Sequence, residues 1–323
     1  MTAPAIISPT QNVPPVPARS KAESSSERSG WMSALLFLLP TGLLLGIFLV
    51  YPTIYTVLLS FDRGRRGEFT NFVGLDNYVN LFTNDPRFID LSEFPPAGAL
   101  FNNVLWLIFY TSLVIFLGLI VAVMASRVRY ESIIKSIVFL PMAIAATALA
   151  VIWKFVYAPD AKTGLLNALL DAIQVGPISW LGNPGFVNAS LIAVGIWGSV
   201  GFSTVILSAA IKSISSEIME AARVDGANEI QIFRRIILPM VSLPISVLAV
   251  TLTVNVVKLF DLIYVMTSGG PGTSSRVIAF TMYQESFPGG LFGKGAAVAV
   301  VMLIMMIPVM LYNVRRFRTE AVT

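Results

Sequence analysis

The chain has 323 residues, of which 55% are hydrophobic and only 12% are charged, and its mean hydropathy is +0.77. A soluble domain carries about twice that share of charged residues, so the composition indicates a membrane protein. The sequence contains no cysteine and no histidine, which excludes thiol nucleophiles, disulfides, Cys/His metal sites and imidazole acid–base catalysis. The net charge of +4 is small, and the placement of the charges matters more than their sum.

The first 30 residues differ in composition from the rest. They hold five prolines, six serines and scattered basic residues, without apolar periodicity. Such a segment cannot bury enough apolar surface to offset the chain entropy that folding removes. We therefore predict a disordered cytoplasmic tail at residues 1–30, a transmembrane domain at 31–318 and a short cytoplasmic end at 319–323.

Six apolar stretches follow the tail. Each is long enough to cross the roughly 30 Å of bilayer hydrocarbon, which takes about 20 helical residues. Within lipid each must be helical, because no water is available to satisfy free peptide groups. The chain is therefore predicted to be an all-α, polytopic membrane protein. The predicted spans lie at about residues 31–60, 100–126, 133–156, 187–212, 236–267 and 296–314.

Lysine and arginine are unevenly distributed between the connections. If the N-terminus is cytoplasmic, thirteen of them lie in the inner segments and seven in the outer connections. Basic residues favour cytoplasmic loops, so both termini are predicted to be cytoplasmic. The cluster of Arg63, Arg65 and Arg66 in the first outer connection opposes this bias.

The outer connection at residues 163–173 has leucine and isoleucine at helical spacing. This pattern predicts an amphipathic helix that lies flat on the membrane surface. The alternative is a docking rim for an external partner.

The connection at residues 215–236 is polar, helical in propensity and interrupted by one glycine. Ser215 or Ser216 can cap a short helix. Gly226 can end it, because the left-handed conformation after a helix is easiest for glycine. Asn228 can then start a second helix with a capping box. The predicted helix–glycine–helix elbow is either a solvated connector or an element that inserts into a groove of another protein.

The stretch EAARVDGANEIQIFRRIILPMVSLP resembles the EAA loop of permeases of binding-protein-dependent ATP-binding cassette importers. The matching positions are Glu220, Ala221, Ala222, Asp225, Gly226, Ala227, Phe233, Ile236, Pro239 and Pro244. Three further stretches resemble the maltose-type, carbohydrate-uptake branch: FVGLDNYVNLF, GLLNALLDAI with GPISWLGNP, and DLIYVMTSGGP. Together they run along nearly the whole chain after the tail.

The resemblance implies a type I importer permease core with the MetI-like fold, placed in a bacterial cytoplasmic membrane. The coupling residues would be Glu220, Ala221, Ala222, Asp225, Gly226 and Ala227, on a helix seated in a cleft of a cytoplasmic ATPase. The implied partners are a second homologous permease, two ATP-binding cassette subunits, an external sugar-binding protein and membrane lipid, but no nucleic acid. The implied cargo is a disaccharide or oligosaccharide such as an α-glucoside, carried by alternating access.

The chain itself is predicted not to be an enzyme. Its nearest approach to a Walker A motif, GGLFGKGA at residues 289–296, lacks both the spacing and the Ser/Thr after the lysine. ATP and Mg²⁺ would therefore be bound by the partner ATPase. No catalytic residue, cofactor or metal site is predicted in this chain.

Polar side chains within the spans are the candidates for the path of the cargo. A charge inside a span costs about 2.5–3.5 kcal/mol, so such groups usually face a cavity or a partner. Asn255, Lys258 and Asp261 recur at i, i+3 and i+6 on the predicted fifth span. Either Lys258 and Asp261 neutralise each other, or all three line the path of the sugar. The resemblance implies a contribution from the fourth span as well, where the candidates are Trp197, Ser199, Phe202 and Ser203. Helix packing is the alternative role for the two aromatic residues.

Two other classes of transporter remain as alternatives. A permease for a glycerol-3-phosphate-like polyol phosphate belongs to a related branch of the same superfamily. An ion-driven secondary transporter would need acidic relays and internal repeats; only Asp261 could serve as a relay, and no repeat is evident.

Overall fold

The computed structural model describes residues 35–92, 96–126 and 128–320. The tail predicted at 1–30 lies outside the described residues, as do the last three residues of the end predicted at 319–323. The described chain is helical, with isolated bridges in place of strands, which confirms the predicted all-α class.

The helical segments of the described residues are numbered in chain order. They are α1 (Leu35–Leu59), α2 (Ala99–Ala125), α3 (Glu131–Ala143), α4 (Ala146–Val156), α5 (Leu165–Ala172), α6 (Pro184–Lys212), α7 (Ser216–Val224), α8 (Glu229–Met240), α9 (Ser242–Val257), α10 (Asp261–Met266), α11 (Ile278–Ser286) and α12 (Phe292–Glu320). Short helical turns at Asp76–Val79 and Asn80–Asn84 interrupt the connection between α1 and α2.

The chain divides into two compact units, residues 1–55 and 56–323. The described residues of the first unit are helical throughout and belong to α1. The second unit contains α2 to α12. Its two larger hydrophobic clusters lie around the buried faces of α2 and α6.

Small residues set the distance between α6 and its neighbours. A Cβ at Gly118 of α2 would lie 2.6 Å from the Cβ of Ser203, and a Cβ at Gly201 would lie 2.4 Å from the carbonyl oxygen of Val138 on α3. These separations are too short for any side chain. The two glycines therefore allow close contact of the helix backbones, as is common between membrane helices.

Four of the described helices are long and apolar enough to cross a membrane alone, and there are up to six spans if each of two bent pairs counts as one. The bent pairs are α3 with α4, at 99°, and α8 with α9, at 64°. The third predicted span, 133–156, is therefore broken rather than mildly kinked. Pro141 lies in a 3₁₀ turn, and Ile144 and Ala145 are extended, with ψ of 130° and 140°.

The predicted fifth span, 236–267, also differs from the structure, because α9 ends at Val257 and α10 begins at Asp261. Asn255, Lys258 and Asp261 consequently do not share one helix, and the i, i+3, i+6 stripe predicted for them was wrong. Within the described part of the chain, no ion pair joins Lys258 to Asp261.

The side chain of Asn103, on α2, connects the end of α9 to the start of α11. Its amide nitrogen donates to the carbonyl oxygen of Val256 at 3.1 Å, and its amide oxygen accepts from the backbone nitrogen of Ile278 at 2.7 Å. The Val256 carbonyl also accepts from the nitrogen of Leu259 at 3.2 Å, in place of the residue 260 nitrogen that a continuing helix would have used. The buried Asn103 amide is thus hydrogen-bonded through both its nitrogen and its oxygen and links the end of α9 to the first turn of α11.

We use the term far end for the end of the bundle that lies opposite residues 215–232. The length of α9 separates the two ends. At the far end, Asp62, Arg65 and Asp85 contact residues at the start of α12 or just before it. The carboxylate of Asp85 pairs with Arg87 at 3.0 Å and with Lys294 at 2.6 Å, and Glu285 pairs with Arg87 at 2.9 Å. Burial opposes ionisation of Asp85, but the hydrogen bonds from Arg87 and Lys294 outweigh it and hold its pKa at about 2.

The connection after α4 contains α5, where a helix was predicted. Leu165, Leu169 and Ile173 are exposed, whereas Asn167 is buried. The Asn167 amide bonds to three carbonyl oxygens, and its oxygen accepts from the Ile178 backbone and the Trp180 indole. The exposed leucines suit a membrane surface or a docking rim, which leaves both predictions for this helix open.

Candidate functional site

The elbow (residues 215–232) is built by local hydrogen bonds. The Ser215 hydroxyl accepts from the backbone nitrogen of Glu217 at 3.2 Å and caps α7. Gly226 ends α7 with φ of +81°, and the nitrogen of Ala227 donates to the carbonyl oxygen of Ala222 at 2.9 Å. This is the Schellman pattern that a left-handed glycine permits. The helix–glycine–helix geometry predicted for this connection is confirmed.

The second half of the elbow is capped equally locally. Asn228 and Gln231 form the predicted capping box, with bonds of 2.8 and 2.9 Å. Arg223 bridges the turn to Glu229 at 3.2 Å. A Cβ at Gly226 would meet no atom within 4 Å. Glycine is therefore required at this position by the positive φ and not by lack of space.

The two faces of α7 have different surroundings. Met219 and Ala222 are half-buried against the hydrophobic cluster that includes Ile214 and Ile232. The other face is exposed and includes Val224, which is 87% exposed. Among the predicted coupling residues, Ala222 and Ala227 are half-buried against this cluster, whereas the exposed ones are Glu220, Ala221, Asp225 and Gly226. The elbow thus presents acidic and apolar groups outward from a rigid base.

A partly open cavity of about 200 Å³ lies between α2, the α3–α4 break, α6 and the break after α9. Aromatic and aliphatic side chains form most of its wall, with Trp106, Met142, Leu149, Leu259 and Leu262 among them. The α3–α4 break and the break after α9 both open onto it, so these two irregular segments meet at one place. Broken helices that line a cavity are a recurrent way to build a binding site within a membrane.

The polar groups of the cavity are few and neutral. The hydroxyls of Tyr110 and Ser199 are 2.8 Å apart, and Asn255 also lines the cavity. Among the described residues that line the cavity, none is charged. A Cβ at Gly195 would lie 2.8 Å from Cζ3 of Trp106, so glycine at 195 allows the aromatic side chains to pack against α6.

The structure brings Ser199 and Asn255 together at the cavity and places the other candidates elsewhere. Trp197 is 41% exposed and meets Trp153 edge-on, with ring centroids 5.5 Å apart. The remaining four are Phe202, half-buried in a hydrophobic cluster, Ser203, fully buried beside Gly118, and Lys258 and Asp261, which are exposed.

Trp106 and Tyr110 were missed by the sequence analysis. Two features of the second span pointed to them: an aromatic pair at i, i+4 and the two amides of Asn102 and Asn103 one turn earlier. Amide side chains within a span usually mark a cavity or a polar contact. The α3–α4 break that completes the wall had no comparably clear signal.

Comparison with known proteins identifies the family. Residues 114–316 match the family described as binding-protein-dependent transport system inner membrane component. The chain is 44% identical over 289 residues to the osmoprotective compounds uptake permease protein GgtC of Synechocystis sp., covering 88% of this chain and 99% of that protein. It is 42% identical over 291 residues to the alpha-glucoside transport system permease protein AglF of Rhizobium meliloti, covering 88% and 82%.

Among solved structures, a bacterial ABC transporter involved in the import of the acidic polysaccharide alginate superposes with a TM-score of 0.74. That match has 26% sequence identity and covers 93% of this chain and 99% of the other. The helix arrangement and the family match agree with the MetI-like importer fold predicted from the sequence. The chain belongs to the inner membrane components of binding-protein-dependent transport systems and is a sugar permease of the ATP-binding cassette importer class.

Proposed function

We propose that this permease carries an uncharged glucoside-type saccharide into the cytoplasm by alternating access. The observation that carries the proposal is the neutral cavity, with Trp106 and Tyr110 in its wall, at which the α3–α4 break and the break after α9 meet. Aromatic rings stack on the apolar face of a pyranose, while hydroxyl and amide groups bond to its hydroxyls. The name of one relative, which specifies alpha-glucosides, supports the same cargo class.

The lining of the cavity also bears on the polyol phosphate alternative. A phosphate group brought into a cavity without a cationic partner would lose its hydration with little compensation. No described lining residue supplies such a partner. A neutral cargo is therefore favoured over a glycerol-3-phosphate-like one.

The elbow supports the proposed coupling to a separate ATPase. Its helix is fixed at both ends by caps, and it presents Glu220, Asp225 and Val224 to the outside. A rigid, mixed acidic and apolar surface suits insertion into a cleft of a partner. In this proposal two cytoplasmic ATP-binding cassette subunits bind ATP and Mg²⁺, a second permease completes the pathway, and an external binding protein delivers the sugar.

Purification of the intact complex, followed by transport assays in vesicles, tests the proposed cargo. We expect ATP-dependent uptake of a neutral glucoside, presented with its binding protein, and no uptake of glycerol-3-phosphate. Competition by glycerol-3-phosphate for uptake of the glucoside would contradict the argument from the neutral lining of the cavity. Uptake that follows an ion gradient without ATP would contradict the importer mechanism and favour the secondary transporter.

The proposed orientation places both termini in the cytoplasm of a bacterium, with residues 62–98 outside. Tags at Met1 and Thr323 should be protected from impermeant reagents in intact cells, whereas labels at residues 69–84 should react. Accessibility of the tag at Thr323 alone would indicate an odd number of spans and overturn this topology.

A further inference from the structure

Five aromatic rings form a continuous row from the cavity to the far end of the bundle. They are Phe260 just before α10, Tyr264 of α10, Tyr283 of α11, Phe287 after it, and Phe292 at the start of α12. Consecutive ring centroids are 5.2, 5.5, 5.4 and 5.8 Å apart. We call this row the aromatic strip.

The inner end of the strip adjoins the cavity. Phe260 packs against the hydrophobic cluster that also supplies Trp106 and Leu262 to the cavity wall. The ring centroids of Phe260 and Tyr283 are 5.1 Å apart, so the strip reaches α11 without a gap. The strip therefore begins beside the wall of the proposed sugar site.

The surface of the strip is open. Tyr264 is 44% exposed and Phe287 is 64% exposed, while Phe260 and Tyr283 are half-buried. Rings that served only to pack α10 against α11 would be buried between the two helices. Their exposure leaves a row of ring surface from the cavity toward the far end, on the side from which the external binding protein delivers cargo in the proposed mechanism.

The strip has a rigid backing. Phe280 is fully buried behind it, with its ring 6.3 Å from that of Phe260. The guanidinium of Arg276 lies 5.5 Å from the Phe280 ring centroid, and a Cβ at Gly269 would lie 2.7 Å from Cε1 of the same ring. Packing on both sides of Phe280 holds the strip in place, so a ligand does not have to order it on binding.

We infer that the aromatic strip is a sugar-binding track, which receives the saccharide at the far end and passes it to the cavity. The inference rests on the proposed function and adds a second site for the same cargo. Pyranose rings stack on successive aromatic faces without the directional demands of hydrogen bonds. A series of such weak and equivalent contacts lets the sugar move along the track, because no single position holds it tightly.

The test is the ratio of sugar taken up to ATP hydrolysed, measured in vesicles that contain the intact complex and saturating loaded binding protein. We expect Tyr264→Leu with Phe287→Leu to lower that ratio by about threefold to tenfold, since each lost stacking contact weakens retention of the sugar. Stimulated ATP hydrolysis should stay near the wild-type rate. Tyr264→Phe with Phe287→Tyr keeps both rings and should keep the ratio.

Phe116→Leu is the matched control, since Phe116 is 58% exposed on α2 and lies outside the strip. A double variant with the same ratio as this control would overturn the track. Loss of the second permease during purification would instead identify the strip as a subunit contact and also overturn it. A wild-type complex that transports no saccharide would contradict the proposed function itself. If the wild-type complex does transport saccharide and the double variant is unaffected, only the track is overturned.

Discussion

The elbow and the cavity differ in how far apart in the chain their parts lie. The elbow is completed by hydrogen bonds and one ion pair among residues 215–232, all close neighbours in sequence. The cavity is lined by residues from distant parts of the chain: Tyr110, Ser199, which follows it by 89 residues, and Asn255. A site made of local bonds can be recognised from residue types, whereas a site made of distant helices depends on how those helices break and pack.

The largest effect is expected at the elbow, where two variants of Gly226 distinguish the required backbone conformation from the space available for a side chain. Gly226→Val must hold a β-branched residue at positive φ, which costs on the order of 1–2 kcal/mol or distorts α7. We expect ATP-driven uptake to fall at least about tenfold, with poor co-purification of the ATPase. Gly226→Asn is the matched control, because asparagine adopts this conformation more readily and the space at Gly226 is open. Equal uptake by the two variants would show that the backbone conformation at Gly226 does not matter for coupling.

An intermediate effect is expected at the cavity. Asn255→Leu keeps approximate size but removes the amide, and Ser199→Ala removes the hydroxyl that meets Tyr110. Loss of one such hydrogen bond to the sugar should lower uptake about threefold to tenfold or change sugar preference, with assembly unaffected. Trp197→Leu provides the comparison, since Trp197 was a sequence candidate that lies off the cavity wall. A larger loss for Trp197→Leu than for Asn255→Leu would move the sugar site away from this cavity.

The smallest effect concerns the far end and depends on pH. Because the pKa of Asp85 is lowered to about 2 from an ordinary 3.8, its ionised pairs stabilise the fold above about pH 4. That contribution is lost progressively as pH falls from 4 toward 2, when the carboxylate takes up a proton. Asp85→Asn should flatten this dependence and make residues 62–98 slightly more sensitive to protease near neutral pH. An unchanged pH profile of proteolysis in Asp85→Asn would show that these pairs do not hold the loop.

Several features were predictable because each depends on residue type and short spacing. Apolar stretches of span length predicted the helical membrane class, and Ser215, Gly226 and Asn228 predicted the elbow with its caps. The resemblance carried by residues 220–244 predicted the family. A capped turn needs only neighbouring residues, and a membrane helix needs only its own peptide bonds.

The breaks could not be predicted from the same rules. Residues 257–261 read as uninterrupted span, yet α9 ends at Val257, where an amide on α2, Asn103, bonds the Val256 carbonyl and links it to the start of α11. That partner is 153 residues away from Val256 in the chain. No local periodicity indicates this contact. The polar stripe was therefore assigned to one continuous helix, whereas the structure breaks that helix between Val257 and Asp261.

The sequence by itself determined that this protein is a helical membrane permease with a capped helix–glycine–helix elbow. Only the tertiary structure decided which polar side chains meet. It placed Ser199 and Asn255 in the lining of one cavity, together with Trp106 and Tyr110. Hydrophobicity and caps act within a segment, whereas a cavity forms where packed helices fail to fill space, and that depends on every helix at once.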